Sequence, residues 1–87
     1  MTEIFHQRYG ESENKLVILH GLFGSGDNWR SIAQKYLVQD FEVYLIDQRN
    51  HGRSFHHEEH NYVTLAQDVI NLLDSLGLNQ ITLLGHS

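Results

Sequence analysis

Three short, continuous apolar runs alternate with two stretches of helical periodicity, and this alternation constrains the fold of the 87-residue chain more than any other feature. The apolar runs occupy residues 16–19, 43–46 and 81–84. A run that is apolar at every position predicts a strand covered on both faces, as in a parallel sheet. The order strand, helix, strand, helix, strand therefore predicts right-handed crossovers and an α/β fold with a mostly parallel sheet and helices on both faces.

The helical stretches carry their own start and stop signals. Either Asp27 or Asn28 suits the N-cap of the first. In the second, Thr64 and Gln67 have the spacing of a capping box, and Gly77 suits the C-terminal cap.

Residues 4–9 predict one more strand ahead of this framework. The turn formers at 10–14 suggest that it runs antiparallel to the next strand, as an N-terminal hairpin.

Composition excludes several classes of function. Six Lys and Arg against eleven Asp and Glu give a net charge of -5 with no basic block, so we expect no nucleic acid partner. The absence of cysteine excludes a thiolate zinc site and a cysteine nucleophile, and fits a reducing compartment. The N-terminus lacks the basic and apolar regions of a signal peptide, and no run approaches membrane-spanning length. We therefore expect a cytoplasmic protein without a membrane partner, whose oligomeric state the sequence does not indicate.

Polar residues follow each predicted parallel strand: His20-Gly21, then Asp47, then Gly85-His86-Ser87. In open parallel sheets, ligands bind outside the carboxyl ends of the strands, so these loops should face one crevice.

The first loop, residues 20–26, has three glycines ahead of a helix, which suits an anion held by backbone amides. The anion could be a transient oxyanion or a dinucleotide pyrophosphate, with Asp47 about 20 residues on as a ribose-binding acid. The spacing G-x-x-G-x-G and the bulk of Phe23 argue against the dinucleotide, whose fingerprint is G-x-G-x-x-G.

The second loop, residues 47–54, mixes one acid with basic residues and turn formers. Asp47 and His51 could in principle belong to a catalytic triad, but a structural role is favoured, with the acid bound to loop backbone and paired to Arg49 or Arg53.

Residues 56–60 formally match the zinc-protease pattern H-x-x-E-H. No helical stripe supports that pattern, so we predict a solvated loop, no metal and no cofactor.

Ser87 completes the tripeptide G-H-S after the third strand, the first half of a nucleophile elbow G-x-S-x-G. A serine nucleophile needs a histidine base, an acid that orients the histidine, and amide donors for the oxyanion.

Together the boxes HGLFGS at 20–25, DxRNHGxS at 47–54 and GHS at 85–87 resemble the α/β-hydrolase family. They are most similar to small bacterial esterases that act on acyl esters and thioesters, and to their mitochondrial relatives. The resemblance implies a small-molecule acyl ester or thioester as substrate. It also implies Ser87 as the catalytic nucleophile, the Leu22 amide in the oxyanion hole and Phe23 beside the acyl pocket.

The family's triad order implies that the acid and the histidine lie beyond residue 87, so none of the seven histidines should be the base. Residues 1–87 are then the N-terminal segment of a single α/β-hydrolase domain that ends at the elbow. We expect this segment alone to be inactive and poorly folded. A non-catalytic binding module and a dinucleotide-binding oxidoreductase remain alternatives, and perhydrolase or carbon–carbon hydrolase chemistry is not separated from ester hydrolysis.

Overall fold

A mixed sheet flanked by helices forms the fold in the computed structural model, which describes residues 3–21 and 24–86. The described strands are β1 (His6–Tyr9), β2 (Lys15–Leu19), β3 (Glu42–Ile46) and β4 (Thr82–Gly85). The described α-helices are α1 (Arg30–Lys35) and α2 (Tyr62–Leu76), and short 3₁₀ turns span Gly26–Trp29 and Leu37–Gln39. None of these helices is long and apolar enough to cross a membrane.

The strand order is β1-β3-β2-β4. Strand β2 runs parallel to both of its neighbours, with Leu16 opposite Val43 of β3 on one side and Thr82 of β4 on the other. Strand β1 runs antiparallel to β3. The prediction of an α/β fold with a mostly parallel sheet is confirmed.

The predicted N-terminal hairpin is wrong in its pairing. Strand β1 is antiparallel as expected, but it bonds β3 rather than β2. The reason is that both edges of β2 are already bonded, to β3 and β4, so the free edge lies on β3. The connection from β1 to β2 crosses the start of β3, where the carbonyl of Asn14 accepts the N–H of Glu42 at 2.9 Å.

Alternate residues of the strands face two separate cores, one on each side of the sheet. The core against α2 contains Ile4, Val17, Tyr44, Ile46, Val69 and Leu72. The core against α1 contains Leu16, Ile18, Ala33, Val43 and Leu45. Helices therefore cover both faces, as the continuous apolar runs predict.

Strand β4 departs from the expectation that all three parallel strands are covered on both faces. All four of its residues are exposed, Leu83 by 55 %. Among the described strands β4 lies at the sheet edge and bonds only β2, so its apolar run has less covering than those of β2 and β3.

Two of the predicted N-caps are wrong. The first helical stretch starts as a 3₁₀ turn capped by Ser25, not by Asp27 or Asn28. Helix α2 starts earlier than predicted because Asn61 is its N-cap: its side chain accepts the N–H of Thr64 at 3.0 Å, and the Thr64 hydroxyl accepts the N–H of Asn61. The C-terminal cap at Gly77 is confirmed.

Candidate active site

The loops that follow β2, β3 and β4 meet at one edge of the sheet, as predicted. The N–H of Gln48 donates to His20 Nε2 at 2.9 Å, which ties the second loop to the first. The N–H of His86 donates to the carbonyl of Leu19 at 3.1 Å, which ties the third loop to the end of β2. The predicted site residues Ser87, Leu22 and Phe23 lie outside the described residues, and the described part of the site consists of the residues that flank them.

His20 is buried, with 3 % of its surface exposed, and both of its ring nitrogens are bonded. Because the N–H of Gln48 can only donate, Nε2 must accept, and the proton sits on Nδ1, which donates to the carbonyl of Gly21 at 2.7 Å. Burial lowers the pKa of His20, and the charge of His51 lowers it further, against the opposing effect of the bond to Gly21. The geometry and the pKa both favour the neutral imidazole.

The carbonyl of Gly21 also accepts the N–H of Gly24, at 2.9 Å. Two donors, the imidazole of His20 and this amide, therefore fix the orientation of one carbonyl in the glycine loop.

Asp47, a residue only 2 % exposed, joins the second loop to the first through its carboxylate. Oδ1 accepts the N–H of Gly26 at 2.6 Å, and Oδ2 accepts the N–H of Arg53 at 2.9 Å. The Asp47 carbonyl accepts the hydroxyl of Ser54. The structural role predicted for Asp47 is confirmed, and because both carboxylate oxygens bind loop backbone, this acid is not placed to bind a ribose.

The expected ion pair of Asp47 with Arg49 or Arg53 is wrong, because Arg49 turns toward α2 and the Arg53 guanidinium lies 3.8 Å from Asp27 instead. The Arg49 guanidinium donates to the Asp68 carboxylate through two bonds of 2.6 and 2.8 Å, and to the carbonyl of Glu59 at 2.7 Å. The Asp68 hydrogen bonds raise the pKa of Arg49, so the guanidinium keeps its charge. This fork binds the second loop to the helix packed beneath it.

Sequence reasoning missed the partner of Arg49, although a signal was present. Asp68 lies at helical spacing from Leu65 and Leu72, inside the apolar stripe of α2. An acid inside an apolar stripe is stable when it is paired, so its position indicates a buried partner.

The loop at residues 56–60 contains no helix, and α2 begins only at Tyr62, so the predicted polar loop is confirmed. His57 Nδ1 accepts the N–H of Glu59 at 3.0 Å, and His60 Nδ1 pairs with the Asn50 amide at 2.9 Å. Over residues 3–21 and 24–86, no group of three or more histidines and acids is arranged to hold a metal ion.

A cleft of ≈ 1080 Å³ opens beside these loops, between α2 and β4. Its walls are mostly apolar and include Leu65, Val69 and Leu83. His20, Gly21 and His86 also line it, so the crevice expected from the strand-end loops is present.

A family model described as "alpha/beta hydrolase fold" matches residues 14–87. The chain belongs to the α/β-hydrolase fold family. The resemblance carried by the three sequence boxes is thereby confirmed, together with the fold class.

The chain is 40 % identical over 76 residues to the esterase YbfF of Escherichia coli, a match that covers 87 % of this chain and 30 % of the relative. It is 44 % identical over 77 residues to ethanol acetyltransferase 1 of Wickerhamomyces anomalus, covering 87 % of this chain and 20 % of the relative. The solved structure of a marine microorganism esterase superposes with a TM-score of 0.95 at 49 % identity, over 100 % of this chain and 33 % of that one. The chain thus spans between a fifth and a third of the length of these relatives.

Proposed function

We propose that this chain is the N-terminal part of a serine hydrolase that cleaves carboxylic ester or thioester bonds through an acyl-enzyme on Ser87. The observation that carries the proposal is the bond from the His86 N–H to the Leu19 carbonyl. It continues the parallel ladder of β2 and β4 up to the residue before Ser87, at the edge where the glycine loop also lies. The esterase YbfF and the marine esterase support the reaction class.

The fixed carbonyl of Gly21 supports a role for the Leu22 amide in the oxyanion hole. A trans peptide is planar, and its N–H points away from its C=O. We therefore propose that holding the Gly21 carbonyl with His20 and Gly24 also orients the next amide, that of Leu22. A donor fixed before the reaction stabilises a developing oxyanion without reorganisation. Phe23, the next residue, is proposed to border the acyl group.

In the proposed reaction Ser87 Oγ attacks the acyl carbonyl carbon and passes its proton to a histidine that the family resemblance puts after residue 87. The oxyanion of the tetrahedral intermediate accepts two hydrogen bonds, one from the Leu22 N–H and one from the N–H of the residue after Ser87. The histidine passes the proton to the alcohol or thiol as it leaves. Water then attacks the acyl carbonyl carbon and gives a proton to the same histidine, which returns it to Ser87 Oγ as the acid is released. His20 is not available as the base, because both of its ring nitrogens are bonded to backbone groups.

A burst experiment on the complete polypeptide that carries these residues tests the proposal. A p-nitrophenyl ester should release one equivalent of p-nitrophenol per site in a fast phase when deacylation is the slower step. Ser87→Ala should abolish the burst and the steady state, while Ser75→Ala, an exposed serine in α2, should leave both unchanged. Turnover that survives Ser87→Ala contradicts the proposal, and a folded protein that turns over no ester favours the non-catalytic binding module.

A second candidate function is acyl transfer to an alcohol, favoured by the similarity to ethanol acetyltransferase 1. Both reactions share the acyl-enzyme and differ in whether water or an alcohol accepts the acyl group. Turnover of an acetyl ester in the presence of ethanol separates them: ethyl acetate as the main product indicates a transferase, and acetate indicates a hydrolase. The expected cytoplasmic location and the expected lack of nucleic acid and membrane partners stay predictions.

A further inference from the structure

His20 and Gln48 are joined by two hydrogen bonds just beyond the point where the backbone ladder of β2 and β3 ends. The last paired residues of that ladder are Leu19 and Ile46. The Gln48 N–H donates to His20 Nε2 at 2.9 Å, and Gln48 Nε2 donates to the His20 carbonyl at 3.0 Å. Because a carbonyl can only accept, the side-chain nitrogen of Gln48 must be the donor. One side chain from each residue therefore continues the link between the first and second loops.

Together with the bonds already described, this pair holds two successive carbonyls at the start of the first loop. The Gln48 side chain holds the His20 carbonyl, which precedes Gly21. The His20 ring and the N–H of Gly24 hold the carbonyl of Gly21 itself. The carbonyls on both sides of the Gly21 Cα are therefore fixed, one through the Gln48 side chain and the other through the His20 ring.

Gly21 is a position where restraint on both sides has a large effect. Glycine has no Cβ and populates more backbone conformations than other residues, so it loses the most freedom when it is ordered. The group that restrains it is itself well held, because His20 is 3 % exposed and both of its ring nitrogens are bonded. The Gln48 side chain is half-buried and adds the restraint on the side of Gly21 that the His20 ring does not bond.

We propose that Gln48 is a positioning residue, whose side chain acts through the His20 carbonyl to hold His20 and Gly21 in the orientation used in catalysis. This inference rests on the proposed function, because it takes the loop that begins with these residues as the source of an oxyanion donor. Removing such a donor outright lowers kcat by about 100- to 1000-fold, so loosening its support should cost about tenfold. Acylation and deacylation both pass through an oxyanion, so kcat should fall while KM changes little.

The experiment compares variants of the complete polypeptide in ester hydrolysis. Gln48→Met keeps the length of the side chain and removes the amide, while the backbone N–H that bonds His20 stays in place. Gln48→Asn keeps the amide on a side chain that is one methylene shorter and does not reach the carbonyl. Gln67→Met is the matched control, since Gln67 is an exposed glutamine of α2 whose amide donates to Asn71 at 2.8 Å. We expect kcat to fall about tenfold in both Gln48 variants and to stay unchanged in Gln67→Met.

Binding of a trifluoromethyl ketone, which forms a tetrahedral adduct with a nucleophilic serine, separates positioning from a purely structural role. A transition-state analogue uses the same oxyanion donors as the reaction, so its Kd should rise by the factor by which kcat/KM falls. A variant that is only less stable keeps the wild-type Kd in its folded fraction. Wild-type kcat or wild-type Kd in either folded Gln48 variant overturns the inference. Failure of the proposed function is distinct, because the wild-type enzyme would then show no Ser87-dependent turnover.

Discussion

The backbone of Gly52 lies directly against the carboxylate of Asp47: a Cβ on Gly52 would sit 2.6 Å from Asp47 Cγ. Gly52 also has φ +50, and Asn50 before it has φ +66, so the loop turns through the left-handed region twice to reach this acid. The close approach lets one buried carboxylate hold the loops that follow β2 and β3.

Gly52→Ala should therefore destabilise the protein by more than backbone strain alone. A left-handed alanine costs about 1–2 kcal/mol, and displacement of the Asp47 carboxylate adds the loss of its buried hydrogen bonds, about 1–3 kcal/mol. Gly77→Ala is the control, since Gly77 has φ +71 but nothing within 4 Å of its Cβ position. Chemical denaturation of both variants gives the difference, and equal losses of stability would show that the Asp47 contact contributes nothing.

His20 should make stability depend on pH in the weakly acidic range. Burial is the main cause that lowers its folded pKa below 6.5, and the facing charges are those of His51 and Asp47. The unfolded chain then binds the proton more readily than the folded one. The contribution of His20 is complete above about pH 6.5, and it is lost as the pH falls from there toward the lower folded pKa.

His20→Gln tests this pH dependence, because a neutral amide can accept and donate but does not titrate. The free energy of unfolding, measured from pH 7.5 down to about pH 5, should fall less steeply in His20→Gln than in the wild type. His56→Gln, at an exposed histidine, should keep the wild-type slope. Identical slopes in all three proteins would remove His20 as the cause.

The fork between Arg49 and Asp68 should be intolerant of lysine. Both side chains are 10 % exposed, and an ammonium cannot reproduce two bonds to Asp68 and a third to Glu59. Arg49→Lys should lower the free energy of unfolding by roughly 1–3 kcal/mol. Arg30→Lys should change it by less than about 0.5 kcal/mol, because the Arg30 side chain is 46 % exposed and meets Asp27 only at 3.8 Å. A loss as small for Arg49→Lys would show that the fork does not stabilise the loop.

The sheet could be predicted from sequence because its two central strands carry continuous apolar runs, at residues 16–19 and 43–46. Alternate residues of β2 and β3 face the two cores on opposite sides of the sheet. Burial on both sides therefore requires a continuous apolar run in each of these strands. The structural role of Asp47 followed from turn chemistry in its own loop. These are local signals, and each is complete within a few residues of the chain.

The errors concern which partner a group finds across the fold. The pairing of β1 depends on which strand has a free edge. The residues of β1 do not indicate that β2 is bonded on both sides, so its pairing with β3 could not be predicted from them. Arg49 finds Asp68, 19 residues away on α2, rather than the acid two residues before it. The bond from the Gln48 side chain to the His20 carbonyl likewise joins two loops across 28 positions of the chain, which spacing alone does not reveal.

The identity of the nucleophile is the central claim, and covalent labelling tests it most directly. The complete polypeptide is treated with a fluorophosphonate, which reacts with activated serines, and the modified peptide is located by mass spectrometry. One equivalent of label on Ser87, with none on Ser87→Ala, is the predicted result. A folded protein that takes up no label, or that carries it on another serine, would contradict the account.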